Sequence, residues 1–129
     1  MRNRGFTLIE IMVVVVIIGL LAAFVGPEIF QMFARGQEDI AAAKCQDIHG
    51  KVSLFMSLTK TGVPDSLDEL DSPISRSSDE SFMPPQDDPW GVPYYIEKLG
   101  RRKFRICSAG PDMDEGSDDD ICYPEDRDE

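Results

Sequence analysis

The sequence predicts an α+β protein in which a long N-terminal α-helix packs on a small antiparallel β-sheet, followed by an acidic C-terminal loop that binds an ion. Three observations support this fold. An apolar run opens the chain, a helical pattern of apolar residues continues beyond it, and two short strand-like segments lie near the C-terminus. At 129 residues, the chain has room for one small domain besides the apolar run.

The charge of the chain is strongly acidic and unevenly distributed. The formal net charge is −11. Because binding phosphates requires clustered Lys and Arg, we expect no nucleic-acid partner. From Cys107 to the end there are ten acidic residues and one basic residue. General solubility accounts for an acidic surface, but this concentration singles out the C-terminal segment.

The first element is the apolar run from Phe6 to Val25, in which Thr7 and Glu10 are the polar exceptions. As a helix, its roughly 20 residues span about 30 Å, which is the thickness of the hydrocarbon core of a bilayer. We therefore predict a membrane-spanning helix. A lone ionised carboxylate within such a segment is penalised, so Glu10 must lie near the interface, be neutral, or pair with a cation.

The flanking charges predict the orientation of this helix. Arg2 and Arg4 precede the run and Glu28 follows it, so the positive-inside rule places the N-terminus in the cytoplasm and the remainder outside. An ordinary cleaved secretory signal is the alternative. Its cleavage site would lie near residues 22–26, but the helical pattern continues past that point.

The residues from Arg4 to Glu10, RGFTLIE, resemble the class III signal of type IV pilins and of the pseudopilins of type II secretion. In that family a prepilin peptidase cuts after the glycine and methylates the new N-terminus. The resemblance implies cleavage between Gly5 and Phe6, with the apolar segment retained. The implied segments are a leader at 1–5, a transmembrane and filament-core helix at 6–27, and a periplasmic domain at 28–129 that includes the second half of the helix.

The resemblance also implies a role for Glu10 in assembly. Cleavage creates an ammonium group on Phe6, which can neutralise the Glu10 carboxylate of the same chain or of a neighbouring subunit. A contact between neighbours would define the axial register of a filament. The alternative is a carboxylate tolerated near the membrane interface without a partner.

A second apolar pattern predicts that the helix continues to about Leu58. Pro27 removes one hydrogen bond and is expected to kink the helix rather than stop it. The spacing of 4, 3, 4, 3 and 4 residues is one face of an amphipathic helix. This face contains Ala41, Cys45, Ile48, Val52, Phe55 and Thr59. Gly62 is predicted to cap the helix, and Asp65 or Ser66 to cap a following turn.

Two segments near the C-terminus, VPYYIEKL and RRKFRICS, have the composition of strands, and Gly100 lies between them. We therefore predict an antiparallel hairpin. The side chains expected to face the helix are Tyr95, Phe104 and Ile106. The stretch 71–88 is rich in Ser, Pro and Asp, and is predicted to be a loop.

The motif DPWGVPYY, residues 88–95, precedes the first predicted strand. It is similar to the DPWG-x-PY signature of the major pseudopilin family of type II secretion, so the resemblance implies a pilin-like fold. Gly91 permits a tight turn, and Trp90 can bury a large surface beneath the loop. We expect Trp90 to be structural, and the alternative is a contact with a partner.

The acidic C-terminal segment is a candidate calcium site. Carboxylate and carbonyl oxygens suit Ca²⁺, although the spacing does not fit an EF-hand. The order of residues is similar to the calcium loop of the major pseudopilin family. The resemblance implies Asp112 and two of three consecutive aspartates as side-chain ligands, with a carbonyl near Ile106 or Ser108. The three aspartates are Asp118, Asp119 and Asp120. The alternative is a solvated acidic tail.

The chain contains three cysteines, Cys45, Cys107 and Cys122. Beyond the membrane a disulfide is permitted. A Cys107–Cys122 bond would close a ring of about 16 residues, which the chain-entropy model values at about 3 kcal/mol. Such a bond departs from the usual major pseudopilin and is similar to the disulfide loop of type IV pilins. Cys45 lies on the apolar stripe and is expected to be a buried thiol, although the sequence leaves its pairing with either other cysteine open.

The resemblance implies a structural subunit of the pseudopilus of a type II secretion system. Its implied partners are further copies in a helical homopolymer, minor pseudopilins, the prepilin peptidase and the inner-membrane assembly platform. We expect no enzyme, because His49 has no nearby nucleophile and is expected at the surface. The alternatives are a type IV pilin for adhesion or motility, and a membrane-tethered calcium-binding module.

Overall fold

The computed structural model describes residues 4–74 and 79–125. Residues 1–3 of the expected leader, including Arg2, the loop residues 75–78, and residues 126–129 of the expected periplasmic domain lie outside the described residues. The elements in chain order are α1 (Leu8–Thr59), a 3₁₀ turn (Leu67–Leu70), β1 (Tyr95–Lys98), β2 (Phe104–Ser108) and β3 (Ile121–Tyr123). This architecture confirms the predicted long helix and small antiparallel sheet.

Helix α1 has 52 residues and continues through Pro27, so the proline does not end it. The chain divides into two compact units, with the boundary after Gly36. In the first unit the large apolar side chains are exposed; Phe24 is 79% and Phe30 is 77% exposed. Among the described residues, α1 is the helix long and apolar enough to cross a membrane. An apolar surface of this kind requires lipid or another protein around it.

The second unit contains the hydrophobic core. The predicted stripe is confirmed, because Ala41, Cys45, Ile48 and Val52 are fully buried and Phe55 packs against the same cluster. The other buried members come from the 3₁₀ turn, the segment that leads into β1, and β2. They are Leu70, Met83, Tyr94, Phe104 and Ile106. One face of α1 is therefore covered by residues that lie far away in the sequence.

The sheet is antiparallel in the order β1-β2-β3. The predicted hairpin is confirmed, but β3 was not expected, because three strand residues within an acidic segment give almost no periodic signal. Ile96 pairs with Ile106, which pairs with Tyr123, and all three contact the core. Because side chains alternate along a strand, Tyr95 lies on the other face, and its assignment to the core was wrong.

Helix α1 ends close to the predicted position, but its C-terminal cap differs from the prediction. Thr59 is its last residue, and Lys60 adopts a left-handed conformation with φ 55°. Gly62 is therefore not the cap. The predicted cap at Ser66 is confirmed, since its hydroxyl accepts a hydrogen bond from the amide of Asp68 at 3.2 Å. This cap begins the 3₁₀ turn that contributes Leu70 to the core.

His49 is half-buried rather than a surface residue. Its ring stacks on Phe104 at a centroid distance of 4.5 Å and meets the edge of Tyr123 at 5.3 Å. Burial lowers the pKa of His49, because desolvation disfavours the charged imidazolium. The sequence expectation failed because His49 follows the fully buried Ile48 on the edge of the stripe, where a sheet residue covers it.

The central position of Ile48 gives a stability prediction. Ile48→Ala should lower the free energy of unfolding by about 2–5 kcal/mol, because it leaves a cavity at a fully buried site. Leu54→Ala on the same helix is the matched control. Leu54 is 51% exposed, so its replacement should change stability by no more than about 0.5 kcal/mol. Fluorescence of the single tryptophan during denaturation of the detergent-solubilised chain measures the stability of both variants. Equal losses of stability would contradict the central position of Ile48 in the core.

The lowered pKa of His49 predicts a pH dependence of stability. The unfolded state takes up the proton more readily, so the stabilisation is present above the ordinary pKa of about 6.5 and is lost as the pH falls below it. The free energy of unfolding should therefore rise between about pH 5 and pH 7. His49→Phe keeps an aromatic ring and should remove this rise. An unchanged slope in the variant would assign the effect to other groups.

Candidate functional site

The N-terminal candidate residues lie at the start of α1. Gly5 and Phe6 precede the helix and are exposed. The amide of Thr7 donates to Glu10 Oε2 at 2.9 Å, and the amide of Glu10 donates to Thr7 Oγ1 at 3.3 Å. This reciprocal pair is a capping box, which satisfies two donors at the helix N-terminus. Glu10 therefore has a backbone partner within its own chain.

Sequence reasoning missed this role of Glu10. The signal was present as Thr7-x-x-Glu10, the spacing of a capping box immediately before an apolar run. The carboxylate lies in the first turn of α1, where the positive end of the helix dipole stabilises an anion. A carboxylate in the apolar segment thus has a favourable position even before any ammonium group is considered.

The DPWG motif forms a turn around a buried carboxylate. Asp88 is 5% exposed, and its Oδ1 accepts hydrogen bonds from the amides of Trp90 at 3.1 Å and Val92 at 2.8 Å. Its Oδ2 accepts a hydrogen bond from the hydroxyl of Ser108 at 2.6 Å. Gly91 has φ 83°, which the turn requires. Sequence reasoning emphasised Trp90, which is only half-buried, and missed Asp88 as the residue that joins the motif to β2.

The C-terminal loop, residues 109–120, begins at this junction. Ser108 Oγ accepts a hydrogen bond from the amide of Gly110 at 3.2 Å. Gly110 has φ 74°, and a Cβ atom there would lie 2.2 Å from the carbonyl oxygen of Asp119. Only glycine permits this approach of the two ends of the loop. The fold thus brings Ser108 and the end of the aspartate run together, because Ser108 pairs with Ile121 in the sheet.

Two of the candidate carboxylates meet within the loop. Asp120 Oδ2 accepts hydrogen bonds from the hydroxyl of Tyr95 at 2.5 Å and the amide of Gly116 at 2.7 Å, and Ser117 Oγ lies 3.3 Å from Asp120 Oδ1. The Ser117 hydroxyl also bonds to Asp112, and this is the main cause of the lowered pKa of Asp112. Tyr95 is the second residue that sequence reasoning missed, because its partner lies 25 residues away.

The remaining candidate ligands do not converge on this point. Asp118 and Asp119 are exposed, Ile106 is fully buried in the core, and the hydroxyl of Ser108 is engaged by Asp88. Ca²⁺ requires about 6–8 oxygen ligands. Within residues 4–74 and 79–125, no group of three or more His, Cys, Asp or Glu side chains could hold a metal ion. The donors have the right chemistry but not the arrangement of the implied site, so calcium binding stays a prediction.

The cysteines adopt the expected arrangement. Cys107 and Cys122 form a disulfide between β2 and β3, where the two residues are direct partners in the register. Cys45 is a free, buried thiol that donates to the carbonyl oxygen of Ile121 at 3.4 Å. Burial raises the pKa of Cys45 to about 12, so the thiol stays protonated. The alternatives that paired Cys45 with another cysteine were wrong.

The junction at Asp88 gives a prediction about stability. Asp88→Ala should lower the free energy of unfolding by about 3 kcal/mol, because it leaves the amides of Trp90 and Val92 and the Ser108 hydroxyl without an acceptor. Asp87→Ala, at an exposed neighbouring carboxylate, is the matched control, with an expected change below about 0.5 kcal/mol. Urea denaturation measures the free energy of unfolding of both variants. Similar losses would show that the hydrogen bonds of Asp88 do not contribute to stability.

Two family models match the chain. The prokaryotic N-terminal methylation motif matches residues 1–26, and the type II secretion system protein G family matches residues 28–123. The second match covers the amphipathic half of α1, the DPWG turn and the three strands.

Curated relatives match along nearly their whole length. The type II secretion system core protein G of Dickeya chrysanthemi is 32% identical and the match covers 93% of this chain and 85% of that protein. The protein of the same name from Pseudomonas aeruginosa is 31% identical, with coverage of 92% and 90%. The crystal structure of the major pseudopilin of enterohaemorrhagic Escherichia coli is similar in fold, with a TM-score of 0.60, 19% identity, and coverage of 72% and 87%. The chain therefore belongs to the type II secretion system protein G family.

Proposed function

We propose that this chain is the major structural subunit of the pseudopilus of a type II secretion system. The observation that supports the proposal is the match of residues 28–123 to the protein G family. The exposed apolar side chains along the first part of α1 are consistent with this role. The subunit first resides in the inner membrane and then polymerises into a periplasmic filament. When the subunit leaves the lipid, its apolar side chains pack against those of other copies in the filament core. Their environment therefore remains apolar.

Processing at the N-terminus is part of the proposal. The methylation motif over residues 1–26 supports cleavage by a prepilin peptidase between Gly5 and Phe6. Both residues are exposed and precede α1, so the peptide bond between them is outside the helical hydrogen-bond pattern. The segments that follow are the leader 1–5, the anchor 6–27 and the periplasmic domain 28–129. Arg2 and Arg4 on the cytoplasmic side support this orientation.

Assembly would use the carboxylate of Glu10. Within one chain it accepts a hydrogen bond from the amide of Thr7. After cleavage, the methylated ammonium group of Phe6 on a neighbouring copy provides a charged donor, and charge-assisted hydrogen bonds are about twice as strong as neutral ones. Other copies of the chain are thus the principal partners. Minor pseudopilins and the inner-membrane assembly platform are the further partners that this role requires.

The proposed role is mechanical rather than catalytic. The only histidine of the chain, His49, stacks against Phe104 and donates to its backbone, which leaves it no role as a general base. Calcium binding by the C-terminal loop remains a separate prediction, which rests on the similarity of its residue order to the calcium loop of the family.

One observation favours a second candidate, a type IV pilin for adhesion or motility. The Cys107–Cys122 disulfide closes the C-terminal loop, and this arrangement is similar to the disulfide loop of type IV pilins. The DPWG turn and the protein G match support the secretion subunit instead. A membrane-tethered calcium-binding module is the candidate of another class, and it would not require Glu10.

Substitutions of Glu10 test the assembly proposal. Glu10→Gln keeps an oxygen that can accept from the Thr7 amide but removes the charge, whereas Glu10→Ala removes both. Each should reduce the yield of sheared filaments at least about tenfold, because the neighbour's ammonium group loses its counter-charge. Glu38→Gln, at an exposed position on the same helix, is the control and should assemble normally.

The mass of the mature N-terminus distinguishes failed assembly from failed processing. Every variant should begin with N-methylated Phe6. Normal filaments from both Glu10 variants would overturn the assembly role of Glu10, whereas a lack of filaments from the unsubstituted chain would favour the tethered module.

A further inference from the structure

The C-terminal loop carries six carboxylates and no Lys or Arg. They are Asp112, Asp114, Glu115, Asp118, Asp119 and Asp120. Like charges in one loop repel each other, so some interaction must offset this repulsion in the closed conformation. A bound divalent cation is one solution. A covalent bond at the base of the loop, together with neutral hydrogen-bond donors inside it, is another.

We propose that the Cys107–Cys122 disulfide and the Tyr95–Asp120 hydrogen bond, rather than a bound cation, close the C-terminal loop of this chain. The disulfide joins direct partners on β2 and β3, immediately outside the two ends of the loop. Gly110 lies against the Asp119 carbonyl just inside them. The two ends are therefore held together by covalent and van der Waals contact before any carboxylate is considered.

The half-buried carboxylate in the loop is satisfied by donors of the chain itself. Asp120 accepts from the Tyr95 hydroxyl and the Gly116 amide, and it shares the single donor of the Ser117 hydroxyl with Asp112. Burial, reinforced by Asp120, raises the pKa of Tyr95, so the phenol stays a donor at neutral pH. The other carboxylates of the loop face water and are screened by solvent and salt. No described carboxylate in the loop thus depends on a cation for its partner.

The surroundings of the disulfide protect it from exchange. Cys107 is fully buried, and the thiol of Cys45 contacts the carbonyl of Ile121, next to Cys122. Exchange requires a thiolate, and the raised pKa of Cys45 keeps that thiol protonated. The neighbouring thiol is therefore a donor to the loop base rather than a nucleophile.

Closure of the loop then depends on oxidation. Forming the bond removes two electrons and two protons from the Cys107 and Cys122 thiols, and a disulfide-bearing oxidant takes them up by thiol–disulfide exchange and leaves as a dithiol. Such oxidants act outside the cytoplasm. This last step rests on the proposed orientation of the chain, whereas closure without a cation does not.

The experiment measures the loop in the full mature chain in detergent, with either calcium or EGTA present. The readouts are the melting midpoint and amide hydrogen exchange of residues 109–121. In the oxidised chain, EGTA should change the midpoint by less than about 1 °C and leave loop exchange unchanged. The double substitution Cys107→Ser/Cys122→Ser should lower the midpoint by about 10 °C and speed loop exchange at least about tenfold, with or without calcium. Cys45→Ala, which keeps the bridge, is the control.

Tyr95→Phe tests the hydrogen bond separately. It should speed exchange within the loop about tenfold while β1 and β2 keep their protection, because only the donor to Asp120 is lost. Tyr123→Phe, a phenol removed elsewhere in the sheet, should leave the loop unchanged.

If the double cysteine variant does not fold, stepwise reduction of the native chain followed by the same exchange measurement replaces it. Loss of loop protection on adding EGTA to the oxidised chain would overturn the inference, as would unchanged protection after reduction. All of these measurements use unassembled protein. The inference about the loop can therefore fail while the proposed role in a filament stands, and the proposed role can fail while the inference about the loop stands.

Discussion

A single helix that must satisfy two different surroundings is the constraint on which the rest of this protein depends. The first part of α1 exposes apolar side chains on all sides, whereas its second part buries one stripe and exposes charged residues elsewhere. A helix apolar all round needs lipid or other helices, and an amphipathic helix needs only one covering layer. Ile48 and Val52 therefore determine where the small sheet and its loops pack on the second part of α1.

The covering layer is small, and polar junctions hold it together. Three short strands and a 3₁₀ turn offer few apolar residues, so a domain of this size has little excess stability. Asp88 compensates by joining the DPWG turn to Ser108 at the end of β2. The disulfide joins β2 to β3 one residue earlier, and the Cys45 thiol ties α1 to β3. These three links meet at the base of the C-terminal loop.

Both unusual charge features of the chain have the same physical solution. Glu10 in the apolar segment and Asp120 in the acidic loop each accept backbone amide hydrogen bonds from nearby residues. Oriented neutral donors stabilise a carboxylate without the desolvation cost of bringing a second ion to it. For Glu10 this gives the carboxylate a partner within its own chain. For Asp120 it allows the loop to close around its own residues.

Features that repeat along the chain, or that lie close together in it, could be predicted from the sequence alone. The length of the apolar run predicts a membrane span, the spacing from Ala41 to Val52 predicts the buried face, and the two β-rich segments predict the hairpin. Short motifs identified the family, because RGFTLIE and DPWG are local. The capping box of Thr7 and Glu10 was also readable, since it depends only on a spacing of three residues.

Which of several equivalent residues acquires a partner depends on the tertiary structure. Tyr94 and Tyr95 are adjacent and identical, and strand register alone assigns one to the core and the other to Asp120. The consecutive aspartates are likewise equivalent in sequence until the loop folds and only Asp120 meets its donors. The Tyr95–Asp120 contact joins residues 25 positions apart, and the Asp88–Ser108 and Cys45–Ile121 contacts join residues 20 and 76 positions apart. Propensity and periodicity describe only near neighbours. The fold class was thus predictable from local pattern, and the arrangement of the loop was not.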